Sequence, residues 1–190
     1  MTPNLVLGTR YTLDSFAKQE QTRTMRVLLK LVLDCDPDDA WRAIRSPHVF
    51  EAVSHPLTQF TSMEAGGFPE LWQSGEHCVQ AAAFGLVPIG KQVIDVSYPN
   101  GPPGVRMMRD NGRGLTGSLA VVTQWRHTMA VNAAPNGKTL YRDELRFAAG
   151  VATPLLWPVF WAFWQWRAAG LVALAPTWSW GTSRRTGHRV

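Results

Sequence analysis

The sequence predicts an α+β protein: one strand, two short helices, six antiparallel strands and a single long C-terminal helix. Three observations carry this reading. Residues 25–35 alternate apolar and polar side chains with the period of a half-buried strand. Between 57 and 147 the chain is cut every few residues by glycine and proline turns, the spacing of hairpins. Then, from Phe147 to Trp166, no charged residue occurs, and four of the nine tryptophans fall between Trp157 and Trp166.

Taken in order, residues 1–24 are mixed and polar and read as an N-terminal arm. Strand Met25–Cys35 follows, with Val27, Leu29, Leu31 and Leu33 on one face and Arg26, Lys30 and Asp34 on the other side. In DPDDAWRAI, Asp36 suits an N-cap, Pro37 the first helical position, and Asp38 and Asp39 the positive end of the helix dipole. Ser46 and Pro47 open a second short helix in the same way, and His55-Pro56 closes it. Strands are expected at Leu57–Glu64, Leu71–Phe84, Ile89–Tyr98, Val105–Asp110, Ser118–Val131 and Thr139–Phe147. The turns between them are AGGFPE, Gly85–Pro88, NGPPG, NGRGLTG and PNGK.

The last helix is expected from Pro158, which fits a first turn, to Pro176, about 18 residues or roughly 27 Å. About 20 apolar residues also suffice to span a bilayer. Arg167, in the middle of the run, argues against that, because a central Arg is costly in lipid but can snorkel or pair at a cavity mouth. Phe160, Phe163, Trp164, Arg167, Leu171 and Leu174 share one helix face, while Ala162, Gln165, Ala169 and Ala173 share the other. A bulky face opposite a small one suits packing on a curved sheet.

At 190 residues with 45% apolar and 17% charged residues, one globular domain with a substantial core is expected. Three of the five net positive charges are Arg184, Arg185 and Arg189, so the body is near neutral and offers no nucleic-acid surface. Residues 177–190 read as a basic, disordered tail, with weak contact to an anionic membrane surface as its alternative role. Cys35 and Cys78 form no metal or redox motif, and no signal peptide is visible, so a cytoplasmic location is expected. No His spacing suits a metal, and the glycines of RDNGRGLTG precede a strand where a phosphate cradle would precede a helix; no cofactor is expected.

The segments VLDCDPDDAWRAIRSPHVF, FGLVPIG, the Trp-Arg-His of 125–127 and YRDELRFAAG resemble the START-like superfamily (SRPBCC), including its bacterial members. That superfamily holds polyketide cyclases and dehydratases, lipid-transfer domains and plant carriers of hydrophobic ligands. The resemblance covers 25–176. It implies a helix-grip fold, with a curved antiparallel sheet of about seven strands wrapped around the C-terminal helix and an apolar cavity between them. The final helix departs from the pattern in being richer in Trp and poorer in charge, which keeps a membrane-surface role in view.

Alternation within that fold turns His127 and Met129 inward with Trp125, and Tyr141 inward with Asp143. A tight turn near Pro135–Asn136 pairs the two strands, setting His127 opposite Asp143 or one diagonal step away, both within reach. An inward carboxylate needs a partner, and His127, Tyr141 or Arg167 qualifies. Three roles stay open for the protein. It is a carrier of a hydrophobic, aromatic or lipid-like small molecule, a cyclase or dehydratase using His127 and Asp143 as a catalytic acid/base pair, or a peripheral lipid-binding protein. The bland alternative for the His–Asp–Tyr group is a buried network tying two strands together. A cavity ligand is expected to meet Trp72, Phe84, Arg106, Met108, Trp125 and Met129 from the sheet side. His127, Tyr141 and Asp143 would orient it, and Phe160, Trp164 and Arg167 would meet it from the helix.

Overall fold

The computed structural model describes residues 24–180. The expected arm before Thr24 and the tail beyond Trp180 lie outside them. Strand β1 (Met25–Leu33) leads into helices α1 (Pro37–Ile44) and α2 (Pro47–Ser54). Strands β2 (Thr58–Ser62), β3 (Gly75–Ala83), β4 (Val87–Ser97) and β5 (Arg106–Asp110) follow, then the two-residue β6 (Arg113–Gly114). Strands β7 (Gln124–Ala133) and β8 (Thr139–Ala148) form the last hairpin before helix α3 (Thr153–Leu174). The sheet is antiparallel in the order β1-β8-β7-β5-β4-β3-β2, with β6 pairing β4 off that path.

Local chemistry explains most boundaries. The Asp36 side chain accepts the Asp38 N–H at 2.8 Å and Pro37 opens α1, the expected cap. Ser46 occupies the N-cap of α2 without making a side-chain cap bond. In β1, Val27, Leu29 and Leu33 are buried, while Arg26, Leu28 and Lys30 face out. On β8, Thr139, Tyr141, Asp143, Leu145 and Phe147 all point inward, as alternation requires.

Three expected elements are redrawn. Residues 71–74 do not begin a strand; the Trp72 N–H donates to the Arg45 carbonyl at 2.8 Å, which pins that loop to the end of α1. Nor does a strand start at Ser118. Residues Gly117–Val121 form a 3₁₀ turn that folds back over β4, with the Ser118 hydroxyl donating to the Ile89 carbonyl at 3.0 Å. Helix α3 begins a full turn before Pro158. There the Thr153 hydroxyl accepts the Ala149 N–H (2.8 Å) and donates to the Gly150 carbonyl (2.7 Å). Pro154 takes the first turn, so Pro158 lies inside the helix and leaves the Pro154 carbonyl without its usual N–H.

The fold-back depends on close backbone contact. A Cβ at Gly112 would stand 1.9 Å from the Val93 carbonyl oxygen, and one at Gly114 would stand 2.0 Å from that of Leu119. Gly112→Ala is therefore expected to cost about 1–3 kcal/mol in urea unfolding. Gly66→Ala, with nothing within 4 Å of its Cβ, should stay within about 0.5 kcal/mol of wild type. Equal midpoints for the two variants would show that β4 and the 112–121 segment have room to separate.

Helix α3 packs its bulky face on β1 and α2, burying Trp164, Arg167, Ala168 and Leu171, while Gln165, Ala169 and Ala173 are exposed and Ala162 borders the cavity. Among the described residues no helix is long and apolar enough to cross a membrane. The packed body continues past Pro176, since Trp178 is buried against the core that α1 and α2 share with the sheet.

Candidate ligand cavity

Between the sheet and α3 lies a cavity of about 530 Å³. Its floor is β3, β4, β5, β7 and β8, and its roof is α3 together with α2, which contributes Val49, Phe50 and Val53. Most of its wall is aliphatic or aromatic. Phe84 and Val159 line it and are also exposed, so the cavity meets solvent beside the β3–β4 turn and the first half of α3.

Of the residues expected at a ligand, Trp72, Phe84, Met108, Trp125, His127, Met129, Tyr141, Phe160, Trp164 and Arg167 all line this space. Arg106 does not. It stands on the inward face of β5 opposite Val131, but at the end of the sheet that α1 covers. Its guanidinium therefore donates to Asp38 Oδ1 at 2.8 Å and to the Pro37 carbonyl at 2.6 Å. Asp143 also stays out of the lining, buried behind the residues that contact it.

The β7–β8 register sets Met129 opposite Asp143 and His127 opposite Leu145, so His127 reaches the carboxylate along the diagonal. His127 Nε2 lies 2.7 Å from Asp143 Oδ1. The Tyr141 hydroxyl donates to Oδ2 at 2.7 Å, and the Trp164 indole N–H donates to Oδ1 at 2.8 Å. Burial alone would raise the Asp143 carboxyl. The His127 charge and hydrogen bond, then Arg167 and Trp164, outweigh it and hold the value down to about 2. Burial first, then the Asp143 charge, pushes the Tyr141 phenol well above its ordinary value, so it remains a donor.

An ionised carboxylate only accepts hydrogen bonds, so the Nε2 of His127 carries the proton toward it. In the neutral ring Nδ1 is then the free base, and among the described residues it has no hydrogen-bond partner. The arrangement fixes one tautomer at the cavity wall, through an aromatic frame in which Trp164 meets His127 and Trp125 edge-on.

Sequence reasoning missed one member of this wall and the role of another. Trp164 was expected as a ligand contact, not as a donor to Asp143; in an apolar run nothing marks which indole N–H turns to a carboxylate. Asp110 was not expected at all. It pairs with His127 across β5 and β7 and lines the cavity, its carboxylate accepting the Asp95 and Gly112 N–H groups and the Trp125 indole N–H. Burial raises its carboxyl against the opposing pull of His127 and those three donors. The signal was available: period two from Met108 puts Asp110 on the same face. Among the described residues, no three His, Cys, Asp or Glu side chains converge to hold a metal ion.

No family model and no curated protein matches the chain in sequence. Solved structures match its shape. Protein jhp0584 from Helicobacter pylori superposes with a TM-score of 0.59 at 12% identity, over 92% of this chain and 99% of that one. Norcoclaurine synthase from Thalictrum flavum, in complex with dopamine and hydroxybenzaldehyde, gives 0.55 at 13% identity, over 91% and 96%. The ZhuI aromatase/cyclase from a Streptomyces species gives 0.50 at 11% identity, over 82% and 93%. The chain therefore has the helix-grip fold that the resemblance implied. A shared fold at such identities carries no chemistry with it.

Proposed function

We propose that the protein binds a hydrophobic, aromatic-sized small molecule in the cavity between sheet and α3. The observation that supports this best is the cavity itself. At about 530 Å³ it falls in the range of small-molecule sites, and it has the expected makeup of an apolar wall with a few convergent polar groups. Binding is driven by removal of apolar surface from water, about 25 cal/mol per Å², with His127 and Tyr141 orienting the occupant. Norcoclaurine synthase, of the same fold, was solved with two small aromatic molecules, which agrees with an aromatic occupant here.

The test is native mass spectrometry of protein purified without detergent, followed by denaturing extraction. A co-purifying apolar molecule, or saturable quenching of tryptophan fluorescence by an added aromatic, is the expected result. An absence of both would sink the reading.

One observation favours a second reading, an enzyme of cyclase or dehydratase type. His127 lines the cavity while Asp143 holds its Nε2, which leaves Nδ1 to exchange a proton with an occupant, the pose of a general acid/base. His127→Ala separates the two. In a carrier, affinity falls by about 1–3 kcal/mol and the ligand still binds. In an enzyme, turnover of the extracted compound stops while binding persists.

A further inference from the structure

Arg167 is 6% exposed, in the second half of α3, and lines the cavity. A guanidinium carries five N–H donors and no acceptor. Among the described residues none accepts a hydrogen bond from it, no carboxylate stands within ion-pair distance, and its Nε is fully enclosed. What surrounds it is aromatic: its central carbon lies 5.2 Å from the Trp164 ring centre, 5.8 Å from Phe50 and 6.0 Å from Phe163. Asp143 feels its charge through space, but the Asp143 oxygens are already taken by His127, Tyr141 and Trp164. Contact with ring faces offsets only part of the cost of burying a charge. Only Nε is enclosed, and the side chain lines the cavity, so its terminal nitrogens are the donors left for a ligand.

We propose that Arg167 is the anchor for a carboxylate, so that the ligand is an organic acid with an apolar, aromatic-sized body and one anionic group. This rests on the cavity being the ligand site. A planar carboxylate matches the two-pronged donor edge of a guanidinium. A doubly charged phosphate fits poorly. The other arginine on the wall, Arg113, is held by Glu76 at 2.8 Å, and Asp110 and Asp143 already contribute negative charge nearby. The aromatic collar excludes water around the pair and so strengthens it.

The test uses a matched pair of probes, 2-naphthylacetic acid and the neutral 2-(2-naphthyl)ethanol, titrated calorimetrically into the full chain. The acid is expected to bind wild type at least tenfold tighter than the alcohol. Arg167→Met should weaken the acid at least tenfold and leave the alcohol within about twofold, whereas Arg167→Lys should keep part of the acid preference. Equal binding of acid and alcohol by wild type, or an acid preference that survives in Arg167→Met, would overturn the anchor and leave the cavity reading standing. If neither probe binds wild type, both readings fall.

Discussion

Replacing Asp143 with alanine is expected to lower folding stability by about 3–5 kcal/mol, measured by urea unfolding at neutral pH. The carboxylate is 1% exposed and accepts from His127, Tyr141 and Trp164. Removing it strands three donors in a buried site and takes away the carboxylate on which the Arg167 charge acts. Asparagine keeps one acceptor oxygen of the two, and its loss should be smaller, about 1–3 kcal/mol. The pH dependence has a definite sign. The native carboxyl is held at about 2, below its ordinary 3.8, so its contribution is complete above about pH 5 and is lost as the pH falls toward 2. That contribution is about 2 kcal/mol. Asp110, raised by burial, acts the other way, gaining a proton more readily in the native state and adding stability as the pH falls. The difference between wild type and Asp143→Asn across pH 5 to 2 therefore isolates Asp143. A difference that does not change with pH would contradict the ion-paired reading.

The second large effect is expected at Trp164. Its ring is 1% exposed and makes edge-on contacts with Trp125, His127, Phe160 and Phe163. Truncation to alanine opens the middle of the α3–sheet contact and should cost about 3–5 kcal/mol. Trp164→Phe keeps most of the packing but removes the N–H that Asp143 Oδ1 accepts, so about 1–3 kcal/mol should still be lost. If the phenylalanine variant unfolds at the wild-type midpoint, the indole serves packing alone and the Asp143 site is held by His127 and Tyr141.

How much of this could be read from residues alone varies with the physics involved. The inward set on β7 and β8 followed from alternation, because a one-residue slip would bury Arg142, Glu144 and Arg146, a heavy penalty. The choice between an opposite and a diagonal His127–Asp143 pair was left open, since it depends on how many residues the 134–138 turn consumes. There Asn136 and Gly137 both take positive φ (62° and 71°). Residues 118–121 read as the start of a strand because Leu119 and Val121 continue the alternation of Thr123 and Trp125. What overrides propensity is the glycine contact with β4, a tertiary effect with no local signature. Arg106 illustrates the same limit. Its inward direction was right, but only the position of α1 shows that the space it enters is already occupied. For Arg167 the sequence suggested a snorkelling or paired side chain. Phe50 and Phe163 cover it instead, and Phe50 comes from a helix more than 100 positions earlier.

The strand order has a consequence for how the molecule is made. Among the described residues, strand β1 hydrogen-bonds only to β8, with Leu33 opposite Thr139 and Met25 opposite Phe147. Of the described strands it leaves the ribosome first, and it waits for β8 until roughly a hundred further residues have emerged. Helix α3, which rests on β1, is later still. The cavity thus comes into being only once α3 has been made, since α3 forms its roof and rests on β1. Such long-range closure is slow, and it leaves intermediates with open sheet edges that chaperones would have to guard.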